Sequence, residues 1–275
     1  MNPWVETVCV SLVALLGVAC GVFFSRLRKS YWTLGYFVPV FVICVLVLAR
    51  CTDTLAFVPP FSWMLGGRVR FVILCLAATI GLTTPLSRLP RRGERVIIAS
   101  LMAVVVFWFS IMPFLVPALI RPHLSAIKTR IDSRGICYQS TNFTCAPAAA
   151  VTVLRRLGLA AQEGELAVLS HSSPMAGTLP NCLRKALVNR YGSEGLKCQY
   201  RRFDSVEQLK NAGLALAVVK DSFLTDHCVA VLNISDGKVV LGDPVTGTRM
   251  LSCKQFENIW RFTGLVLNRD GYKHL

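Results

Sequence analysis

The stretch "YQSTNFTCAPAAAVTVLRRLG", residues 138–158, sets a cysteine directly ahead of Ala-Pro-Ala-Ala-Ala, in a part of the chain with no membrane-length apolar run. Proline suits the first turn of a helix, where its missing N–H costs nothing, and glycine suits a left-handed C-terminal cap. The stretch therefore reads as a helix from about Pro147 to Leu157, ended by Gly158, with Cys145 at its N-terminal cap. There the helix dipole and unpaired N–H groups favour a thiolate over a thiol. Taken alone, the position suits a small buried cap residue better than a catalytic one. A thiolate nucleophile also needs a base and a group that orients the base.

The remaining C-terminal sequence supplies both. Helices are expected over 163–170 and 178–191, followed by strands in "KCQYRRF", "LALAVVK", "HCVAVLNI", "KVVLGDP", "TRMLS" and "TGLVLN", with short helices in "SVEQLKNAG" and "CKQFENIW". Helices first and an antiparallel sheet afterwards make an α+β domain. His227 opens "HCVAVLNI" and Asp243 stands near the end of "KVVLGDP"; the "SDG" between them is a hairpin signal, with His227 eight positions before it and Asp243 six after it. The two are thus expected roughly across from each other, and a carboxylate beside an imidazole fixes its tautomer and supports its charged form. Asp226, adjacent to His227, points to the opposite face by alternation. Gln139, six residues before Cys145, sits where a side-chain amide can donate to an oxyanion beside the Cys145 N–H.

Together these pieces resemble the C39 peptidase family, papain-like cysteine peptidases that trim double-glycine leaders from exported peptides. The matching motifs are Gln139-x5-Cys145-Ala-Pro-Ala at a helix start, His227-Cys-Val-Ala-Val on a strand, Gly242-Asp-Pro-Val-Thr-Gly closing the hairpin, and the trailing "LSCKQFENIWRFTGLVL"; the likeness spans about residues 136–268. It implies Cys145 as nucleophile, His227 as general base, Asp243 as its orienter and Gln139 as oxyanion donor. The chain departs from the family in Thr144 and Ala146 flanking the cysteine, where an acidic residue and a glycine are usual, and in Cys228 after the histidine, where an aromatic is common. No GxxxxGK[ST] occurs, so there is no phosphate loop and no ATP site. A peptidase-transporter fusion is excluded on that reading.

Upstream the chain changes character. A mean hydropathy of +0.53 with 16% charged residues is too apolar for a soluble protein of 275 residues. Apolar runs at 4–24, 36–49, 71–82 and 96–120 reach, with their flanks, roughly the 20 residues a helix needs to cross a bilayer. The first is preceded by "MNPWVE", which lacks the positive region of a secretory signal. The expected organisation is a transmembrane bundle of about four helices over 1–120, a link at 121–135 and the peptidase-like domain at 136–275.

The net charge of +15 invites a nucleic-acid reading, but the Lys and Arg of the C-terminal domain are scattered, without the aromatic-interleaved stripe that reading requires. Arg26, Arg28, Lys29, Arg88, Arg91, Arg92 and Arg95 fall in the loops after the first and third spans, the loops that the positive-inside rule holds in the cytoplasm. Arg50, Arg68, Arg70, Arg121, Lys128 and Arg130 fall on the other side, so the bias is modest. It puts the domain outside the cytoplasm, in a setting taken to be a bacterial cytoplasmic membrane. Cys137, Cys182, Cys198, Cys228 and Cys253 form no CxxC pair, so neither a zinc site nor any cofactor is expected.

The function expected is a membrane-anchored cysteine endopeptidase acting on a peptide or protein substrate, with the lipid membrane and a separate transporter as partners. Two competing readings keep the fold. One is a catalytically silent module that binds a leader peptide for a transporter; the other is a Cys-His-Asp transamidase or amidase.

Overall fold

The computed structural model describes residues 3–27, 29–51, 57–64, 67–86, 88–222 and 225–271. Arg28, and the side chains of Lys29 and Arg50, which enter the charge count of the loops, lie outside these residues. The chain divides into two compact units, Met1–Leu119 and Ile120–Leu275.

The first unit contains α1 (Pro3–Arg26), α2 (Lys29–Cys51), the single turn α3 (Phe61–Met64), α4 (Val69–Leu86), α5 (Arg92–Val106) and α6 (Met112–Leu119). A π-turn over Phe107–Ile111 joins α5 to α6. Pro113 has no N–H to return to the preceding turn, and such a lost bond is what local widening accommodates. Four stretches are long and apolar enough to cross a membrane: Pro3–Arg26, Tyr31–Ala49, Val69–Leu86 and Arg92–Leu119. Their large apolar side chains point outward, with Leu15, Phe41 and Ile97 among the most exposed, while Thr79, Thr83 and Thr84 lie buried between helices. That inversion suits a hydrocarbon surround, where close backbone approach and hydrogen bonds hold helices together.

The α1–α4 contact shows the mechanism. A Cβ on Gly17 would lie 1.9 Å from Thr79 Oγ1, and one on Gly21 would lie 2.6 Å from Thr83 Cβ, so only glycine allows this approach. The two helices run parallel. Arg68, just before α4, pairs with Glu6 of α1 at one end, and Arg88, beyond α4, donates to the Ser25 and Leu27 carbonyls at the other.

The second unit begins with α7 (Arg121–Ser125) and β1 (Arg130–Ile131), which pairs with β2 (Cys137–Tyr138). The polar stretch 121–135 is therefore part of this unit rather than a free link, anchored by Leu124, which is 1% exposed. Next come α8 (Cys145–Arg156), α9 (Glu163–Leu169), α10 (Pro180–Tyr191), β3 (Leu196–Arg202), α11 (Val206–Ala212), β4 (Ala215–Lys220), β5 (Asp226–Ser235), β6 (Lys238–Asp243), β7 (Gly247–Ser252), α12 (Cys253–Ile259) and β8 (Trp260–Arg269). Helices precede an antiparallel sheet, as the pattern of elements led us to expect. The sheet order is β3-β8-β4-β5-β6-β7.

Both sheet faces are covered. Leu154, Leu183 and Leu187 of α8 and α10 pack with Leu216, Ala230 and Leu265 on one face; Leu209 and Phe256 of α11 and α12 pack with Ala217, Val229, Leu241 and Trp260 on the other. That is why "LALAVVK" reads as an unbroken apolar run rather than an alternating one.

At the centre of the sheet, a Cβ on Gly264 of β8 would lie 2.5 Å from the Leu216 carbonyl oxygen of β4. Gly264→Ala must push the two strands apart and is expected to cost about 1–3 kcal/mol. Hydrogen exchange on the full chain in detergent should show reduced protection of β4 and β8 amides; unchanged protection contradicts this packing.

Candidate active site

Cys145 is the first residue of α8 rather than its cap. Thr144 precedes the helix, and its carbonyl accepts from the Ala148 N–H at 3.1 Å. The difference from the expected start at Pro147 is small chemically, because the N–H of a first-turn residue is still unpaired within the helix. Gly158 takes the left-handed conformation anticipated for it, with φ 69°. Ala146, Ala148, Ala149 and Ala150 are all buried, and their small side chains let α8 lie close against β5. Gly242 completes the fit from β6, since a Cβ there would meet Ile136, Leu232 and Thr152 within 2.9–3.3 Å. The next residue is Asp243.

A β-bulge brings His227 and Asp243 together. At the hairpin tip Ser235 faces Lys238 and Asn233 faces Val240; the register then shifts between Val231 and Asn233, so that Val231 faces Leu241 and Ala230 faces Gly242. One further step sets Val229 opposite Asp243. Without the shift Ala230 would face Asp243, and His227, three residues from Ala230, would lie on the opposite face. The extra residue in β5 puts the imidazole and the carboxylate on one face.

The contacts are short. His227 Nε2 donates to Asp243 Oδ1 at 2.9 Å, and the Cys145 side chain is near enough to the imidazole to favour its charged form. Asp243 is 2% exposed. Its Oδ1 also accepts from the Val245 N–H at 2.9 Å and its Oδ2 from Arg249 Nη1 at 3.2 Å. Burial disfavours charge on both groups, and the bonds outweigh it. The imidazole, bonded to Asp243 and beside Cys145, is raised to about 9; His227, Val245 and Arg249 hold the Asp243 carboxyl well below the usual carboxylate range.

Arg249 was not singled out in the sequence. The available signal is its place on β7 opposite Leu241, while Asp243 faces Gly247, which makes Arg249 a diagonal neighbour of the carboxylate on the same face. Asp226, set aside by alternation, binds Arg261 at 2.9 Å.

Gln139 joins the group through its backbone. Its N–H donates to the Pro244 carbonyl at 3.0 Å, and its carbonyl accepts from Arg130 at 3.1 Å. Its side-chain oxygen is buried with no hydrogen-bond partner. A cleft of about 240 Å³, lined by Arg130, Tyr138, Gln139, Pro244 and Val245, opens at this edge.

The neighbouring thiols are free and differ from Cys145 in environment. Burial pushes Cys198 up to about 12. Burial and then the Glu163 charge do the same to Cys137, and burial followed by the adjacent Cys145 pushes Cys228 well up. Such thiols are inert at neutral pH.

Because the folded value of His227, about 9, lies above the roughly 6.5 of a free imidazole, its pairing stabilises the fold fully below about pH 6.5 and ceases to do so as pH rises through 9. Asp243→Asn removes the anion and is expected to lower the His227 midpoint by roughly one to three pH units. NMR titration of the imidazole in ¹³C-histidine-labelled protein checks this; a midpoint that does not move contradicts the pairing.

Comparison with known proteins identifies the family. The family model described as the Peptidase C39 family matches residues 133–270. An uncharacterized protein of Methanothermobacter marburgensis is 27% identical over 144 residues, 52% of this chain and 95% of the relative; another, of Methanothermobacter thermautotrophicus, is 28% identical over 141 residues, 51% and 92% of the two chains. Among solved structures, the peptidase domain of Streptococcus ComA, a bi-functional ABC transporter involved in quorum sensing, aligns at 17% identity with a TM-score of 0.43, covering 52% of this chain and 98% of that one. A double glycine motif protease from an AMS/PCAT transporter, solved with its leader peptide, aligns at 17% identity with a TM-score of 0.41, covering 52% and 92%. With half its length matched by the family model, the chain belongs to the Peptidase C39 family.

Proposed function

We propose that this protein is a membrane-anchored cysteine endopeptidase that cuts a peptide or leader sequence after small residues such as Gly-Gly. The observation that carries the reading is the 2.9 Å hydrogen bond from His227 to the buried Asp243, with Cys145 at the start of α8 beside the imidazole. In the proposed reaction the Cys145 thiol gives its proton to His227 and the sulfur attacks the scissile carbonyl carbon, forming a tetrahedral oxyanion beside the imidazolium. The amide of Gln139 and the Cys145 N–H are the donors for that charge. As the intermediate collapses, the C–N bond breaks, the His227 imidazolium protonates the departing amine, and a thioester remains on Cys145. Neutral His227 then takes a proton from water, which attacks the thioester and releases the acid. Asp243, held by Arg249 and the Val245 N–H, stays ionised throughout and keeps the imidazole oriented.

The bundle supports the anchoring part of the reading. Arg26 lies at the end of α1 where Arg88 caps the Ser25 and Leu27 carbonyls, and Arg91, Arg92 and Arg95 follow closely in sequence. A basic end of this kind belongs in the cytoplasm, and four crossings return the chain to the other side before residue 120. The peptidase unit is accordingly extracytoplasmic, where its substrate is a peptide delivered at the membrane by a separate transporter.

The test is product analysis. Full-length protein in detergent or liposomes is incubated with peptides carrying a Gly-Gly pair, with and without a primary amine as competing acceptor. We expect cleavage after the small residues with water as acceptor, and a loss on the order of 10⁴-fold or more in Cys145→Ala. Amine incorporation in place of hydrolysis would identify a transamidase. Binding without turnover would identify a leader-binding module.

A further inference from the structure

Directly after Gln139, the chain is gripped by a carboxylate that the reaction above does not use. Glu163, the first residue of α9, is fully buried. Its Oε1 accepts from the Ser140 N–H at 2.7 Å and its Oε2 from the Ser140 hydroxyl at 2.7 Å. Desolvating a carboxylate is costly unless its oxygens are bonded, and here both are used on one residue. The Glu163 N–H in turn donates to Thr129 Oγ1 at 2.9 Å. The following residue is equally constrained, since a Cβ on Gly164 would lie 2.4 Å from the Leu124 carbonyl oxygen and 3.2 Å from that of Ile127. Segment 124–129, which follows the last apolar helix, and the segment carrying Gln139 thus meet at the start of α9, the first at the backbone of Glu163 and Gly164 and the second at the buried Glu163 side chain.

We propose that Glu163 is a positioning residue for the oxyanion site: by holding both polar groups of Ser140 it fixes the rotation of the 139–144 segment and so the direction of the Gln139 amide. The inference rests on the reading of Gln139 as oxyanion donor. Gln139 itself is pinned at its N–H by Pro244 and at its carbonyl by Arg130, but Arg130 is an exposed side chain. Glu163 supplies the buried, two-point hold, and a donor displaced by a fraction of an ångström loses much of its worth in a transition state.

Two reagents separate positioning from folding. Iodoacetamide alkylates a thiolate by displacing iodide and passes through no oxyanion. With p-nitrophenyl acetate the Cys145 sulfur adds to the ester carbonyl, an oxyanion forms, and the C–O bond to nitrophenolate breaks to leave an acetyl thioester. Both modifications are followed at Cys145 in the full chain by peptide mass spectrometry. Glu163→Ala should slow acetylation by about tenfold to a hundredfold and leave alkylation within about twofold of wild type, the pattern expected also of Gln139→Ala. Glu163→Gln should restore most of the acetylation rate, because its amide oxygen can accept the Ser140 N–H and its amide nitrogen can donate to the hydroxyl. Should Glu163→Ala fail to fold, Ser140→Ala, which loses one of the two bonds, is expected to give a smaller loss of the same selectivity.

The proposal is overturned if these variants acetylate at the wild-type rate while Gln139→Ala is slow, or if they slow both reagents equally. A wild type that acetylates no faster than His227→Ala would instead sink the catalytic reading itself.

Discussion

The hydrogen bond between His227 and Asp243 is the constraint around which the second unit is arranged. Its 2.9 Å contact joins two strands whose tip register would set the residues on opposite faces, and one bulge in β5 reverses that. A buried carboxylate survives only with its oxygens bonded, so Asp243 draws in the Val245 N–H and Arg249. Gly242 admits α8 to the same corner, and the Gln139 N–H closes on the Pro244 carbonyl. Cys145, His227, Asp243 and the backbone of Gln139 thus come together from α8, β5, β6 and the segment that follows β2.

The two units are held by different physics. In the second, apolar side chains fill both sides of a six-stranded sheet, and water supplies the driving force. In the first, the large apolar residues face outward and the helices meet through Gly17, Gly21 and buried threonines, as a lipid-facing bundle requires. The ion pair of Glu6 with Arg68 at one end and the Arg88 cap at the other settle charges at the ends of the parallel helices, away from their apolar middles.

Much of this was legible in the residues because the signals are local. Proline and glycine frame α8 around Cys145, Asp236 and Gly237 mark the hairpin, and four apolar runs mark the membrane-length helices. What escaped the reading is non-local. The β5 bulge carries no glycine, and an unbulged hairpin would have set His227 three positions away from the residue facing Asp243, on the opposite face. Arg249 becomes a partner of Asp243 only once β7 is paired in register. Glu163 carries no signal of its own in the sequence, because its grip on Ser140 across 23 residues depends on how α9 packs. Residues 121–135 read as a link because they are polar; Leu124 and Thr129 hold the first part of them to the domain.

The central claim is that Cys145 is chemically coupled to His227, and its most direct test needs no substrate. The rate of iodoacetamide labelling at Cys145 is measured across pH by peptide mass spectrometry, in wild-type protein and in His227→Ala. Coupling predicts labelling near neutral pH at least about tenfold faster in the wild type, with a pH dependence that the substitution changes. Equal rates and superimposable profiles in the two proteins would contradict it.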